Sequence, residues 1–196
     1  MIDNFNSKDL GNLGLAMDAA GNIFGVSDRH VFELSPNGNG GWSSTEIHYF
    51  VGNATGIPAF DSAGNLYFAA GGRQIYELIH GKRGWSGRIL YAFKGGTDGS
   101  DPLGGVVLDA AGNVYGTTFT GGGACGGYNK HGCGTVFELI APVGKGNYVE
   151  KVLWRFNDSD GVEPINSLLL DSAGNLYGTT IGGGSSGNGV VFEITP

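Results

Sequence analysis

The chain has 196 residues, of which 39 are Gly and only 6 Pro, with 11% aromatics; this length suits one domain with a sizeable core, and the composition is neither collagen-like nor that of a disordered linker. Eleven Lys and Arg stand against 18 Asp and Glu, a net charge of −7, and no basic cluster exceeds Lys82-Arg83, which argues against nucleic acid or an anionic membrane as partner. No stretch approaches the 18 or so consecutive apolar residues of a membrane-spanning helix.

The opening MIDNFNSKDLGN lacks the basic head and apolar middle of a secretory signal. That leaves a cytosolic protein, or a mature or trimmed form of an exported one. Beyond it, one phrase recurs through the chain: DAAGN at 18–22, DSAGN at 61–65, DAAGN at 109–113 and DSAGN at 171–175, spaced by 43, 48 and 62 residues. Such periods mark a repeat architecture.

Each unit presents its pieces in the same order. A short apolar run (GLAM, IPAF, VVL, LLL) leads into the anchor, and a second run (NIFGVS, NLYFAA, NVYGTT, NLYGTT) leaves it. After a loop of variable length comes a third run (HVFELS, QIYELI, TVFELI, VVFEIT), and a fourth ends at Phe50, Phe93 or Phe156. These runs are short, alternating and rich in aromatic and β-branched residues, and no segment has helical periodicity, so the chain is all-β. Asp with Ala-Gly-Asn between two extended runs is hairpin chemistry, so Asp18, Asp61, Asp109 and Asp171 are expected to build turns. Trp42, Trp85 and Tyr148 each stand eight residues before the unit's final Phe; the even spacing predicts that aromatic and Phe share a strand face and pack between sheets.

Four strands per repeat of this length predict a β-propeller of four blades, each of four antiparallel strands, in one domain over 1–196. The last unit stops after its third run, whereas MIDNF matches the end of a fourth. The N-terminal strand is therefore expected to join the last blade and close the ring. An eight-bladed ring of two chains, and four blades of a longer array, are the rival architectures.

In a propeller the variable loops after strands two and four share one face, the expected working face. There Asp98-Gly-Ser-Asp101-Pro102 aligns with Asp160-Gly-Val-Glu163-Pro164. Turn chemistry is the plainer reading. The alternative is a ring of carboxylates at the channel mouth, able to bind calcium or to serve as acid and base. Blade one offers only Asp9 near this slot and blade two no acid, which speaks against a four-fold metal site. Residues that break the repeat are further ligand candidates: Arg29, His30, Arg73, Tyr128 and His131, with Asn129 and Lys130 beside them.

Cys125 and Cys133 enclose seven residues of a Gly-rich loop, a separation that permits a disulfide and with it an oxidising compartment. A metal set of Cys125, His131 and Cys133 is the rival and lacks a distant fourth ligand. No G-x-S-x-G elbow occurs, and the histidines show no triad spacing.

The phrase GGTDGSDPLGGVVLDAAGNVYGTTFTGGG and the CGTVFEL that follows, within residues 95–139, resemble the GloVer tandem repeats of bacterial exported or surface-anchored proteins. A weaker copy spans Asn157 to Ile194, and the first two units depart further. The resemblance implies a propeller-like fold and an extracellular or cell-surface setting, and brings no catalytic residues. More distantly, the strand-DxxGN-strand pattern looks like blades of NHL-type and streptogramin-lyase-type propellers.

The expected function is an extracellular binding or assembly module that takes a glycan or a partner protein, needs no organic cofactor and can self-associate. One alternative is a lyase or hydrolase using Asp98, Asp101, Asp160 or Glu163 with His131 or Arg73. Another is a structural repeat that forms surface assemblies.

Overall fold

The computed structural model describes residues 14–27, 29–50, 52, 54–123, 125 and 130–196. Blade 1 comprises β1 (Leu15–Met17), β2 (Ile23–Ser27), β3 (His30–Pro36) and β4 (Trp42–Tyr49). Blade 2 comprises β5 (Ala54–Phe60), β6 (Leu66–Ala70), β7 (Gln74–Gly81) and β8 (Gly84–Ala92). Blade 3 comprises β9 (Val107–Leu108), β10 (Val114–Thr118), β11 (Thr135–Ile140) and β12 (Val149–Arg155), and blade 4 comprises β13 (Leu169–Leu170), β14 (Leu176–Thr179) and β15 (Val191–Ile194). Every sheet is antiparallel with its strands in chain order. A single 3-10 turn, Gly96–Asp98, accompanies them among the described residues. The strand expected to close the ring falls within residues 1–13, outside the described residues, and no sheet among the described residues closes on itself.

The four anchors are identical turns. Asp18 Oδ1 accepts from the amides of Ala20 (2.9 Å) and Asn22 (2.8 Å), and Oδ2 accepts from Asn22 Nδ2 (2.9 Å). Asp61, Asp109 and Asp171 repeat all three bonds. The anchor glycines take φ between 82 and 91°, which only Gly adopts without strain. Burial raises the Asp109 carboxyl, and the donors of Asn113, Tyr115 and Ala111 outweigh it, holding the group below its ordinary value.

In three blades the anchor also ties into a second carboxylate. Tyr67 Oη lies 3.1 Å from Asp61 Oδ2 and 2.8 Å from Glu77 Oε1, so one phenolic proton serves two acceptors. Tyr115 does the same with Asp109 and Glu138, and Tyr177 with Asp171 and Glu193. Arg88 Nε pairs with Glu77, and Lys151 Nζ stands 3.4 Å from Glu138, so the buried glutamates of the FEL and YEL runs are neutralised from the fourth strand.

Three apolar cores lie between the four blades. Phe24, Val26 and Val31 meet Leu66, Phe68 and Leu78; Tyr67, Ala69 and Ile75 meet Val114, Phe137 and Leu139; Tyr115, Val136 and Phe156 meet Leu168 and Leu176. Each fully buried side chain of this size contributes about 1.5–3 kcal/mol. Gly116 is small because the Phe137 ring lies across it, and an added Cβ would stand 2.6 Å from that ring.

The expectation that the Trp or Tyr and the final Phe share a face is overturned by a repeated β-bulge. The ladder slips between Val31 and Phe32, between Ile75 and Tyr76, and between Val136 and Phe137. Ile47, Leu90 and Leu153 are the extra residues opposite these slips, and all three pack into a core. One inserted residue reverses the alternation beyond it. Trp85 therefore packs on the core between blades 1 and 2, and Phe93 on the core between blades 2 and 3. Tyr148 and Phe156 are divided in the same way. The expected packing between sheets holds for Trp85 and Tyr148; the shared face does not.

Candidate functional site

A cleft of about 820 Å³ opens between blades 2 and 3, on the face that carries the long loops. Three segments build it. The β6–β7 loop supplies Arg73, the link from blade 2 to blade 3 supplies Gly95 to Thr97 with Ser100, Asp101 and Leu103, and the β10–β11 loop supplies Phe119, Thr120, Lys130 and His131. Its size falls within the range of small-molecule sites. Arg73 is pinned by its carbonyl, which accepts from Phe93 N at 2.8 Å.

Ser100 and Asp101 are adjacent in the cleft lining. Ser100 bridges Thr120 through paired backbone bonds of 2.9 and 3.1 Å. Its hydroxyl is buried, with no hydrogen-bond partner among the described residues, at a cost of about 1–3 kcal/mol. Asp101 follows with φ 57°, and its counterpart Glu163 has φ 58°; no other described non-Gly residue has positive φ. Such backbone is held only when its surroundings over-determine it. Phe119 N donates to the Asp101 carbonyl (2.8 Å) and Thr120 Oγ1 to its Oδ2 (2.7 Å). The cleft thus brings a guanidinium, an ammonium, an imidazole, a hydroxyl and a carboxylate to one surface.

The other residues expected at the site divide as follows. Asp98 turns to its own loop, accepting from Tyr91 Oη (2.8 Å) and Lys94 N (2.6 Å). Asp160 likewise accepts from Asn157 N (2.7 Å) and Nδ2 (2.6 Å). These two acids follow the turn reading. Glu163 donates its backbone N–H to Cys133 O in the β10–β11 loop at 2.8 Å and does not line the cleft. His30 Nδ1 sits 3.0 Å from Glu46 and its ring meets Tyr49 edge-on, so it belongs to the outer strands of blade 1. Arg29 occupies the blade 1 position of Arg73, its carbonyl accepting from Phe50 N at 2.9 Å. Tyr128 and Asp9 lie outside the described residues.

Cys125 and Cys133 stand at disulfide distance, Cα to Cα 5.2 Å, and both are buried in the core between blades 3 and 4. Asp158 Oδ1 lies 3.5 and 3.8 Å from the two sulfurs. These three residues form the cluster of possible metal ligands among the described residues, yet the sulfurs are spent on each other. The pair closes the base of the loop that carries Lys130 and His131.

Glu150 was not singled out by its sequence. It sits on β12 with Oε1 buried and unpartnered among the described residues. Burial, reinforced by the neighbouring Asp98 charge, pushes its carboxyl up to about 7. At the opposite end of the blades a second cleft, about 530 Å³, is lined by the anchor turns of blades 3 and 4, where Asp109 and Asp171 are already committed to the turns.

Comparison with solved structures places the chain among propeller proteins. It is similar to a luciferin-regenerating enzyme (TM-score 0.63, 16% identity, 93% of this chain and 60% of that one). It is also similar to a gluconolactonase from Xanthomonas campestris (0.59, 14%, 93% and 56%) and to a streptogramin B lyase (0.59, 16%, 96% and 56%). At this identity the likeness speaks to fold alone, and the chain spans less than two thirds of the length of each. No curated protein matches it in sequence. Residues 72–196 match the Gloeobacter/Verrucomicrobia repeat, and the chain belongs to that family.

Proposed function

We propose that this chain is an extracellular propeller module that binds a polar ligand of glycan chemistry in the cleft between blades 2 and 3. The observation that carries the reading is the convergence of Arg73, Asp101, Lys130 and His131 from three separate segments on one cleft. Arg73 and Asp101 supply a donor and an acceptor for neighbouring sugar hydroxyls. The cysteine pair suits an oxidising compartment. Asp98 and Asp160 are occupied locally, so calcium has no part in this reading. The test is binding of the purified chain to a panel of immobilised glycans: one class is retained, and Arg73→Ala loses it. Equal retention of the Arg73→Ala chain, or of none by the parent, contradicts the proposal.

A second reading is hydrolysis or elimination on a polar substrate, favoured by the carboxylate, imidazole and cations that line one cleft. Two structural neighbours are a gluconolactonase and a lyase by name. Turnover of sugar lactones that disappears in Asp101→Asn would establish it, and no turnover would leave the binding module.

A further inference from the structure

The cleft between blades 2 and 3 carries a charge opposite to that of the chain around it. The whole sequence stands at −7, yet the fixed charges lining the cleft are two cations, Arg73 and Lys130, against one carboxylate, Asp101. Two of the three segments that build it bring no acid. The β6–β7 loop is Gly71-Gly72-Arg73, and residues 119–134, FTGGGACGGYNKHGCG, contain Lys130 and His131 but no Asp or Glu. The third segment, the link from blade 2 to blade 3, holds Asp98 and Asp101, and both have donors of their own. Asp98 accepts from Tyr91 Oη and Lys94 N at 2.8 and 2.6 Å, and Asp101 Oδ2 accepts from Thr120 Oγ1 at 2.7 Å. No ion pair among the described residues includes Arg73 or Lys130. Arg73 Nη1 lies 3.8 Å from where a Cβ on Gly95 would stand, so the glycine there sets no side chain against the guanidinium.

We infer that the cleft selects acidic sugars, and that Arg73 and Lys130 hold the sugar's oxyanion, the carboxylate of a uronic acid or a sulfate ester. This assignment rests on the reading of the cleft as a glycan site and names the class of glycan. A planar guanidinium takes an oxyanion through two parallel N–H donors, and an ammonium adds a compact point charge beside it. Asp101 remains as acceptor for a sugar hydroxyl. A neutral sugar would offer the two cations no opposite charge, so the larger gain is reserved for an acidic one. In a chain of net negative charge, an anionic ligand is repelled from the surface at large and drawn to the one cleft whose lining is cationic.

The test is calorimetric titration of the purified chain with trimers of galacturonate, glucuronate and mannuronate, with their methyl esters, and with a sulfated galactose trimer. At least one acidic trimer is expected to bind about tenfold or more tightly than its uncharged counterpart, with an affinity that falls as ionic strength rises. A uronate that binds assigns the oxyanion as carboxylate, and the sulfated trimer assigns it as sulfate. Lys130 is exposed, so Lys130→Ala keeps its fold, checked by circular dichroism. That variant is expected to lose about tenfold in affinity for the acidic trimer and to bind the ester as the parent does. Esters bound as tightly as acids, and lost in Arg73→Ala, overturn the preference for charge and leave the glycan site standing. The same holds if no acidic trimer binds while a neutral glycan of the panel is retained. If no sugar of either kind binds, the glycan reading falls as well. Acidic trimers that bind Arg73→Ala and Lys130→Ala as they bind the parent overturn both, because the sugar then sits elsewhere.

Discussion

Ser100 and Val162 hold one position of the repeat, each pairing with the loop after its blade's second strand, through Thr120 and Gly182 respectively, yet one buries a hydroxyl unpartnered among the described residues and the other a methyl pair. Ser100→Val is therefore expected to keep the fold and to raise stability by about 1 kcal/mol, since the cost of the unmade hydrogen bond disappears. Urea denaturation measures the change; a loss of more than 1 kcal/mol would show that the hydroxyl has a partner in solution and belongs to the scaffold.

Tyr67 and Tyr177 make the same two contacts to anchor and glutamate, but Tyr67 is buried and Tyr177 faces the open side of blade 4. Tyr67→Phe is expected to cost about 1–2 kcal/mol, because Glu77 loses a donor inside the core. Tyr177→Phe should cost clearly less, its carboxylates being solvated. Equal costs in thermal unfolding would contradict this ordering.

Glu150 sets a pH dependence. Its carboxyl is raised from 4.5 to about 7 in the folded chain, burial first and the Asp98 charge second, so the folded state holds more protons than the unfolded one between those values. Stability from this group is full below the unfolded value and falls as pH climbs from about 4.5 through 7. The group is partly solvated, and the loss is accordingly about 1 kcal/mol. Glu150→Gln should flatten this part of the stability profile and exceed the parent at pH 8. An unchanged profile would place the titration elsewhere.

The Cys125 and Cys133 pair closes a short loop, and replacing both with Ser is expected to cost about 2 kcal/mol. Because that loop carries Lys130 and His131 to the cleft, ligand affinity should fall together with stability. Affinity unchanged at a temperature where both chains are folded would separate the loop from the site.

Much of the architecture is legible in the sequence because it is local. Asp-x-Ala-Gly-Asn specifies a turn by bonds spanning four residues, and strand alternation identifies one unit after another. The bulges opposite Ile47, Leu90 and Leu153 are not legible, since an inserted residue leaves the run of strand formers intact while exchanging the faces beyond it. Arg73 and His131 stand out as departures from the repeat, and Asp101 as one of its aligned loop acids. That they meet, and that Asp98 and Asp160 turn back into their own loops, depends on how loops of different blades converge. Ser100 and Glu150 gave no signal in sequence: a serine beside DG reads as turn, and a glutamate on an outer strand reads as solvated.

The most direct test of the ligand cleft is a crystal structure of the chain with each glycan it retains. The account predicts the sugar between blades 2 and 3, with its hydroxyls in hydrogen-bond range of Arg73 and Asp101. A sugar bound instead among the anchor turns of Asp109 and Asp171, or contacts that leave Arg73 and Asp101 untouched, would contradict it.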